Sequence, residues 1–518
     1  MSRENDNEAD PVRNDLAELE RRRGLTEDAA RADAVSKRHD RGGRTARENV
    51  AALIDDGSWV EYGRYAVAQQ RQRRSAEDLT ANTPADGLVA GTATVDGHPI
   101  AVLAYDYTVL AGTQGTVGHF KKDRLFELIE RMRLPVVFFA EGGGGRPGDT
   151  DHPVVSALQV RAFALWAKLS GLVPRMAIVA GNCFAGNAVI AGCSDLIIAT
   201  ENSSLGMAGP AMIAGGGLGD VRPEDVGPVE MQAPNGVLDI VVHDEAEAVE
   251  AAKRVLTYFR RRAEDWTAGD QAPLREAVPE SSRRAYDVMP IIRTIADEDS
   301  VTALRERFAP ELTTALARIE GRPVGIIANN CKYHAGVVTG AAADKATRFM
   351  QLCDAFGLPV ISLIDTPGYM VGPEAERDAL VRHCCRMLIA GAALTVPTIA
   401  ILLRRAYGLG AQAMAFGSLH EPLLTAAWPD ATLGPMGLEG AVRLAMRREL
   451  EAIEDEAARE QRVRELTAQM HEHAKALNAA QIFEIDDVID PADTRATIAR
   501  TLAAAGDPAP SGRPVDAW

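Results

Sequence analysis

The sequence predicts an α/β protein made of one unit written twice. Three observations carry this. From about Asn49 onward, short apolar runs alternate with amphipathic helices and Gly/Pro turns, an internal repeat recurs at a nearly constant offset, and Gly-containing loops follow corresponding strands of both copies. Gly97-His-Pro-Ile100 opens a strand in the first copy, and Gly321-Arg-Pro-Val324 does so 224 positions later (97 to 321). Lys121 and Lys345 share a helix position at that offset. So do Leu134-Pro-Val-Val-Phe-Phe-Ala-Glu141 and Leu358-Pro-Val-Ile-Ser-Leu-Ile-Asp365. Val173-Pro-Arg-Met-Ala-Ile178 against Val396-Pro-Thr-Ile-Ala-Ile401 stands at 223, one residue lost, and Leu205-Gly206 against Leu433-Gly434 stands at 228, an insertion in the second copy. Each copy reads strand, helix, strand, loop, helix, strand, loop, helix.

The polar, Pro-containing stretch from Ala268 to Pro279 is the expected linker, giving domains at 46–285 and 286–518. Residues 1–45 are charge-dense (Glu20-Arg-Arg-Arg-Gly24, Lys37-Arg-His-Asp-Arg-Gly-Gly-Arg44) and are expected to form a partly ordered helical arm with little to bury. With 56 Lys+Arg against 73 Asp+Glu the net charge is −17, which argues against nucleic acid as the main partner. A hydrophobic share of 46% is that of a globular chain, and no apolar run reaches the ~18 residues of a membrane span. The start, Met1-Ser-Arg-Glu-Asn-Asp-Asn-Glu8, lacks the apolar core of a secretory signal. Cysteines 183, 193, 331, 353, 384 and 385 form no CxxC pair and read as reduced, unmetallated thiols. A cytoplasmic location without metal or membrane is the expectation.

Strands that run into Gly-containing turns and then a helix present unpaired N–H groups at a positive helix terminus, a place suited to an anion. In the first copy these are Gly142-Gly-Gly-Gly-Arg-Pro-Gly-Asp149 and Ala180-Gly-Asn-Cys-Phe-Ala-Gly-Asn187. In the second they are Asp365-Thr-Pro-Gly368 and Ala406-Tyr-Gly-Leu-Gly-Ala411. On one reading Phe184-Ala-Gly186 and Tyr407-Gly-Leu-Gly410 supply amides to a developing oxyanion such as a thioester enolate, where one donor is worth ~10² to 10³ in rate. On the other, the glycines only allow tight turns and close helix packing. Recurrence in both repeats favours the first.

Other constellations carry less. Gly143, Gly144, Gly145 and Arg146 are candidates to seat a phosphate, the arginine as charge partner, yet the run fits neither a Walker loop nor a Rossmann fingerprint. Glu141 and Asp365 end matching strands, and helix capping is their expected role. His119, His334, His383 and His420 lack metal-binding spacing, and Cys183 has no histidine at a recognisable nucleophile spacing. The acidic run Glu449 to Glu456 reads as a solvated helical face.

Together these residues resemble the carboxyltransferase (beta) component of biotin-dependent acyl-CoA carboxylases, in the crotonase superfamily. The resemblance is densest in Gly321-Arg-Pro-Val-Gly-Ile-Ile-Ala-Asn329, Lys345-Ala-Thr-Arg-Phe349, Cys353-Asp-Ala-Phe356, Asp365-Thr-Pro-Gly368, Arg404-Arg-Ala-Tyr-Gly408 and Ala427-Trp-Pro429. It begins near Arg44, with Thr45-Ala-Arg-Glu-Asn49 and Asp56-Gly-Ser-Trp-Val-Glu61. It implies two tandem crotonase-like domains, a homohexameric ring with sites between subunits, and transfer of a carboxyl group from carboxybiotin to the α-carbon of an acyl-CoA. Carried over residue by residue, the Ala185 and Gly186 amides hold the thioester oxygen, and those of Leu409 and Gly410 the biotin ureido oxygen. Phe184, Tyr407 and Gln412 line the substrate alongside the glycine run.

The chain departs from the family in places. Glu141 and four glycines stand where the family reads Ser-Gly-Gly-Ala-Arg. Gln412 replaces the acidic residue of propionyl-CoA enzymes, and Arg146-Pro-Gly-Asp-Thr-Asp151 leans toward the long-chain acyl-CoA branch. Nothing resembles a Cys₄ zinc ribbon. With no Met-Lys-Met biotinylation site and no ATP-grasp domain, biotin is expected on a separate biotin carboxylase or biotin carboxyl carrier subunit. Two other readings stand beside this one: the carboxyltransferase subunit of a biotin-dependent decarboxylase, and a non-catalytic acyl-CoA-binding scaffold.

Overall fold

The computed structural model describes residues 11–518 except 152–154, 261 and 282–283. The first ten residues of the expected arm lie outside the described residues. The chain divides into two compact units, Met1–Gln232 with Val241–Arg254, and Ala233–Ile240 with Val255–Trp518.

The first unit is built on strands β1 (Val60–Glu61), β2 (Leu88–Val95), β3 (His98–Tyr105), β4 (Val136–Phe139), β5 (Arg175–Val179), β6 (Asn182–Phe184), β7 (Leu196–Thr200), β8 (Ser204–Gly206) and β9 (Ile240–Val242). Seven make one sheet in the order β1-β2-β3-β4-β5-β7-β9, and β6 pairs with β8 beside it. The β2–β3 hairpin is antiparallel, and β3, β4, β5 and β7 run parallel. Covered on both faces, β4 and β5 are buried at every position, which is why they read as unbroken apolar runs. Trp166 anchors the core, meeting the Phe138 ring edge-on at 5.7 Å and donating its indole N–H to the Ile190 carbonyl (2.9 Å).

The second unit repeats the frame with β10 (Thr302–Leu304), β11 (Leu312–Ile319), β12 (Arg322–Asn329), β13 (Val360–Thr366), β14 (Thr398–Tyr407), β15 (Leu424–Ala427), β16 (Thr432–Gly434) and β17 (Asp487–Val488). The sheet order is β10-β11-β12-β13-β14-β15-β17, with β16 pairing β14. The expected register holds to the residue. Ala101 faces Val136 in the first unit and Gly325 faces Val360 in the second, and both helices of the pair, Thr116–Met132 and Gly340–Phe356, have 17 residues. Each ends on a left-handed residue at the same repeat position, Arg133 (φ 56°) and Gly357 (φ 73°). The frames differ at one place. Where the first unit breaks after β5 at Gly181 (φ 116°) and starts β6, β14 runs on without interruption to Tyr407.

The arm corrects an expectation. Its described helices, Pro11–Leu25 and Ala32–His39, are mostly exposed, but the segment is docked by buried arginines. Arg31 donates to Asp106 Oδ2 (2.8 Å) and Thr108 Oγ1 (2.7 Å), and a Thr45/Glu48 capping box starts the next helix, Ala46–Leu53.

Candidate active site

The two predicted loops lie at the C-terminal ends of parallel strands, each just before a short helix. In the first unit β6 leads into Ala185, which takes a positive φ of 49° with ψ −120°, and Gly186 then opens the helix Gly186–Gly192. In the second, Tyr407 ends β14, Gly408 takes φ 59°, and the helix Gly408–Met414 begins. Phe184 and Tyr407 hold the same bridge position, to Gly206 and Gly434, so Ala185 corresponds to Gly408 and Gly186 to Leu409. A non-glycine residue held at positive φ, as Ala185 is, is strained, and such strain clusters at functional sites.

The amides are not equivalent. Ala185 N–H donates to the Gly206 carbonyl (3.1 Å), so it is committed within the fold. Gly186, as the first helical residue, has no acceptor inside its helix, and Leu409 and Gly410 are likewise within the first turn of theirs. Leu409 is exposed, Gly410 buried, and the Gln412 side chain exposed. Phe184 and Tyr407 are buried beneath the loops, the Tyr407 hydroxyl sharing a hydrogen bond with Thr432 Oγ1 (2.8 Å).

A second segment approaches each helix terminus. In the first unit it is the glycine run. A Cβ placed on Gly144 would lie 2.8 Å from that of Ala185, so only glycine lets the two backbones close. Gly143 N–H donates to the Ala111 carbonyl (3.1 Å) and Gly144 N–H to Asn187 Oδ1 (3.1 Å), while Gly145 N–H has no acceptor among the described residues. In the second unit the segment is Thr366 to Tyr369. Tyr369 bridges Val338 as Gly145 bridges Gln114, and its N–H also lacks an acceptor among the described residues. Gly410 packs directly on it: a Cβ there would sit 2.7 Å from Tyr369 N and 2.8 Å from Gly368 Cα.

Arg146 turns inward. Its guanidinium pairs with the fully buried Asp86 and donates to the Thr113 carbonyl (2.7 Å) and Thr113 Oγ1 (3.1 Å), bracing the glycine run from behind. Glu141 and Asp365 do not cap helices as expected. Asp365 accepts from Arg404 Nε (2.8 Å), Arg405 Nε (2.6 Å) and the Tyr286 hydroxyl (2.9 Å). Glu141 is held by both terminal nitrogens of Arg38 (2.8 and 2.7 Å), which also reaches Glu245 Oε1 (2.8 Å). Burial pushes Glu141 up to about 7 against the pull of Arg38, with the Glu245 charge adding to the rise. Burial likewise presses Lys121 down to about 8 and Lys345 to about 7, each capping main-chain carbonyls. The Cys183 thiol is driven well above its usual range by burial, which leaves it inert.

Sequence reasoning missed Asp86, Lys122, Gln114, Asn187 and Tyr369. The signal for Tyr369 was present, since Gly145 and Tyr369 stand at the repeat offset. Lys122 falls on the buried, apolar side of its helix with Leu125, Phe126 and Ile129.

The carboxyl transferase domain family matches residues 37–509. The chain belongs to that family. It is 33% identical over 501 residues to the methylmalonyl-CoA carboxyltransferase 12S subunit of Propionibacterium freudenreichii subsp. shermanii, covering 94% of this chain and 93% of that one. It is 31% identical over 509 residues to the biotin-dependent long chain acyl-coenzyme A carboxylase beta4 subunit of Mycobacterium tuberculosis, covering 94% and 93%. Among solved structures, a single-chain, multi-domain long-chain acyl-CoA carboxylase superposes with a TM-score of 0.90 and 53% identity over 94% of this chain, which spans 49%, about half, of that chain. The transcarboxylase 12S hexamer, solved with methylmalonyl-coenzyme A, gives 0.84 and 31% over 97% and 96%. The duplicated crotonase-type fold expected from the sequence is therefore correct, and the chain is an enzyme, a carboxyltransferase of the biotin-dependent acyl-CoA carboxylase class. Among the described residues no helix is long and apolar enough to cross a membrane.

Proposed function

We propose that the first unit holds the acyl-CoA thioester oxygen and the second unit the biotin ureido oxygen, each by main-chain amides. The observation that carries this is the recurrence, in both units, of a positive-φ residue followed by open helix-terminal amides with a second unpaired amide on the facing segment. In the first unit the donors are Gly186 and Gly145, with Ala185 setting the turn. In the second they are Leu409 or Gly410 together with Tyr369. The second loop fits a ureido group: it offers only N–H donors, on a half-buried and exposed surface at Gly408 and Leu409. Carboxybiotin, when bound, supplies CO₂, and its ureido nitrogen accepts the α-proton. The chain's task is to stabilise negative charge where it develops. Gly186 and Gly145 hold the thioester oxygen as the α-C–H bond breaks and the new C–C bond to CO₂ forms, and no side-chain base is required. Arg146 serves as a brace for the glycine run rather than as a phosphate ligand, since its donors are committed to Asp86 and Thr113.

The substrate is a longer-chain acyl-CoA. Support comes from the Gly-rich run through Asp151, from Gln412 in place of an acidic residue, and from the 53% identity to a long-chain acyl-CoA carboxylase against 31% to the 12S chain. Biotin arrives on a separate biotin carboxylase or biotin carboxyl carrier subunit, and the enzyme works in the cytoplasm as a homohexamer. The test is carboxyl transfer run backwards, with free biotin and a panel of malonyl-, methylmalonyl- and long-chain carboxyacyl-CoAs. Turnover of a long-chain member, abolished by Gly186→Pro and by Gly410→Pro, is expected. Turnover that survives either proline in a folded enzyme refutes the amide assignment.

A further inference from the structure

Behind the first-unit loop lies a chain of buried polar side chains that the reaction scheme does not use. Asn187, wholly buried in the first turn of its helix, accepts the Gly144 N–H at Oδ1 (3.1 Å) and donates from Nδ2 to the Glu141 carbonyl (3.2 Å) and the Gly112 carbonyl (3.4 Å). Its Oδ1 also accepts from Gln114 Nε2 (3.2 Å), and Gln114 Oε1 accepts from Lys122 Nζ (2.6 Å). Lys122 is itself wholly buried, its ammonium 5.7 Å from the centres of both the Tyr105 and Phe163 rings.

Burying an ammonium is costly, by several kcal/mol even after relaxation, and burial presses Lys122 down to about 7. The fold does not require that cost. The second unit, with the same backbone register, fills the corresponding places with Ala346, Val338 and Gly410, all buried, and there the helix closes directly on the backbone of Gly368 and Tyr369. In the first unit the Asn187 side chain stands at that point, and it touches the glycine run on both sides of its bend, at the Glu141 carbonyl and the Gly144 N–H. The side chains donate in sequence from Lys122 to Gln114 to Asn187 and on to the Glu141 carbonyl, while the Gly144 N–H donates back to Asn187, so the ammonium fixes the orientation of the Gln114 amide and through it that of Asn187.

We propose that Asn187, Gln114 and Lys122 are positioning residues of the first oxyanion hole: they set the distance between the glycine run and the first turn of the helix, so that the Gly145 and Gly186 amides converge on one thioester oxygen. This rests on the assignment of the thioester to the first unit. None of the three touches substrate, and their effect is largest in the transition state, where a misplaced donor matters most.

The experiment uses the full-length enzyme and reverse carboxyl transfer with the carboxyacyl-CoA that turns over best. Two variants are measured. Lys122→Met removes the ammonium. Gln114→Glu keeps Lys122 paired, so the charge stays satisfied, but removes the donor to Asn187. Each is expected to lower kcat by about 10²-fold, the order of loss for a ~1 Å misplacement, with KM for the CoA substrate within about twofold of wild type. The second readout is the infrared stretch of a ¹³C-labelled thioester carbonyl in the bound acyl-CoA. It should move toward its free-solution frequency in both variants, which a merely structural role would not cause. Folded variants with wild-type kcat and an unmoved stretch, or with raised KM alone, overturn the proposal. If Lys122→Met fails to fold, Gln114→Glu decides. Gly186→Pro, run in parallel, separates the two levels: its survival would overturn the underlying assignment, whereas its loss beside intact Lys122 and Gln114 variants would overturn the strut alone.

Discussion

Gly410→Ala tests the second hole with one methyl group. The added Cβ would lie nearest the Gly368 carbonyl carbon, 2.7 Å from Tyr369 N and 2.8 Å from Gly368 Cα, against an ordinary non-bonded separation of about 3.5 Å or more. All three neighbours are backbone, so no side chain can swing away, and either the helix terminus or the Thr366–Tyr369 segment must move by roughly 0.7 Å or more. A shift of that order in one oxyanion donor is worth about 10² in rate, and complete loss of the donor about 10² to 10³. Stability should fall by no more than about 3 kcal/mol, because overpacking costs about 1 to 3 while alanine gains up to about 1 kcal/mol of helix propensity over glycine. The assay is kcat and KM for reverse carboxyl transfer alongside thermal melting. The expected result is a folded enzyme with kcat down by at least about 10² and KM for the carboxyacyl-CoA unchanged, since the thioester is assigned to the first unit. Gly437→Ala, where a Cβ meets nothing within 4 Å, is the control and should behave as wild type. A folded Gly410→Ala enzyme with kcat within about threefold of wild type would refute the reasoning, because a clash that produces no rate loss leaves those amides without a catalytic role.

Three further outcomes follow from buried groups. Arg146→Met strands the carboxylate of Asp86, whose side chain is 0% exposed, so a loss of about 3 to 5 kcal/mol in denaturant unfolding is expected; a change in CoA KM alone would make Arg146 a ligand after all. Glu141 has a folded pKa raised from 4.5 to about 7, so its contribution is fully present below pH 4.5 and lost as pH rises through 7. Wild type should therefore lose stability relative to Glu141→Gln between about pH 5 and 8, by at most about 3 kcal/mol, and a pH-independent difference in urea midpoints would contradict this. Among the described thiols Cys385 is exposed, whereas Cys183 and Cys353 are wholly buried, so maleimide labelling read by mass spectrometry should modify Cys385 in the native protein and leave the other two untouched until unfolding.

The strands and loops were legible in the sequence because they follow local rules. Parallel strands covered on both faces must be apolar along their length, as in Val136–Phe139 and Val360–Thr366, and glycine marks the turns where backbones meet. The duplication doubled that signal. What stayed hidden was the destination of each charge. Arg146 looks like an anion ligand beside a glycine run, but its partner Asp86 lies 60 residues away in a turn with φ 53°, and nothing local marks the pair. Lys122 reads as an ordinary helix lysine beside Lys121 until the fold closes Tyr105 and Phe163 over it. Ala185 reads as a donor from its place in the loop, and only the register of β6 against β8 shows its amide committed to Gly206.

The arm belongs to this same lesson, and it yields the last prediction. Glu141 and Asp365 occupy one repeat position, and each ends a buried strand with a carboxylate that needs a cation. The second unit meets the need from within, since Arg404 and Arg405 sit on β14, the strand paired with β13 that ends in Thr366. The first unit has no arginine at the matching place just beyond β5, where the chain reads Gly181-Asn182, and takes Arg38 from the arm instead. The segment from Arg31 to Arg44 is therefore part of the first unit's core electrostatics and not a tether. Arg38→Met leaves two buried carboxylates, Glu141 and Glu245, facing one another without their shared cation, and should cost about 3 to 5 kcal/mol. The loss should be largest above pH 7, where both carboxylates are charged, and should shrink as the medium is acidified and Glu141 takes up its proton. Equal destabilisation at pH 5 and pH 8 would mean that Arg38 acts through packing of its stem, and the pairing of arm to strand end would have to be abandoned.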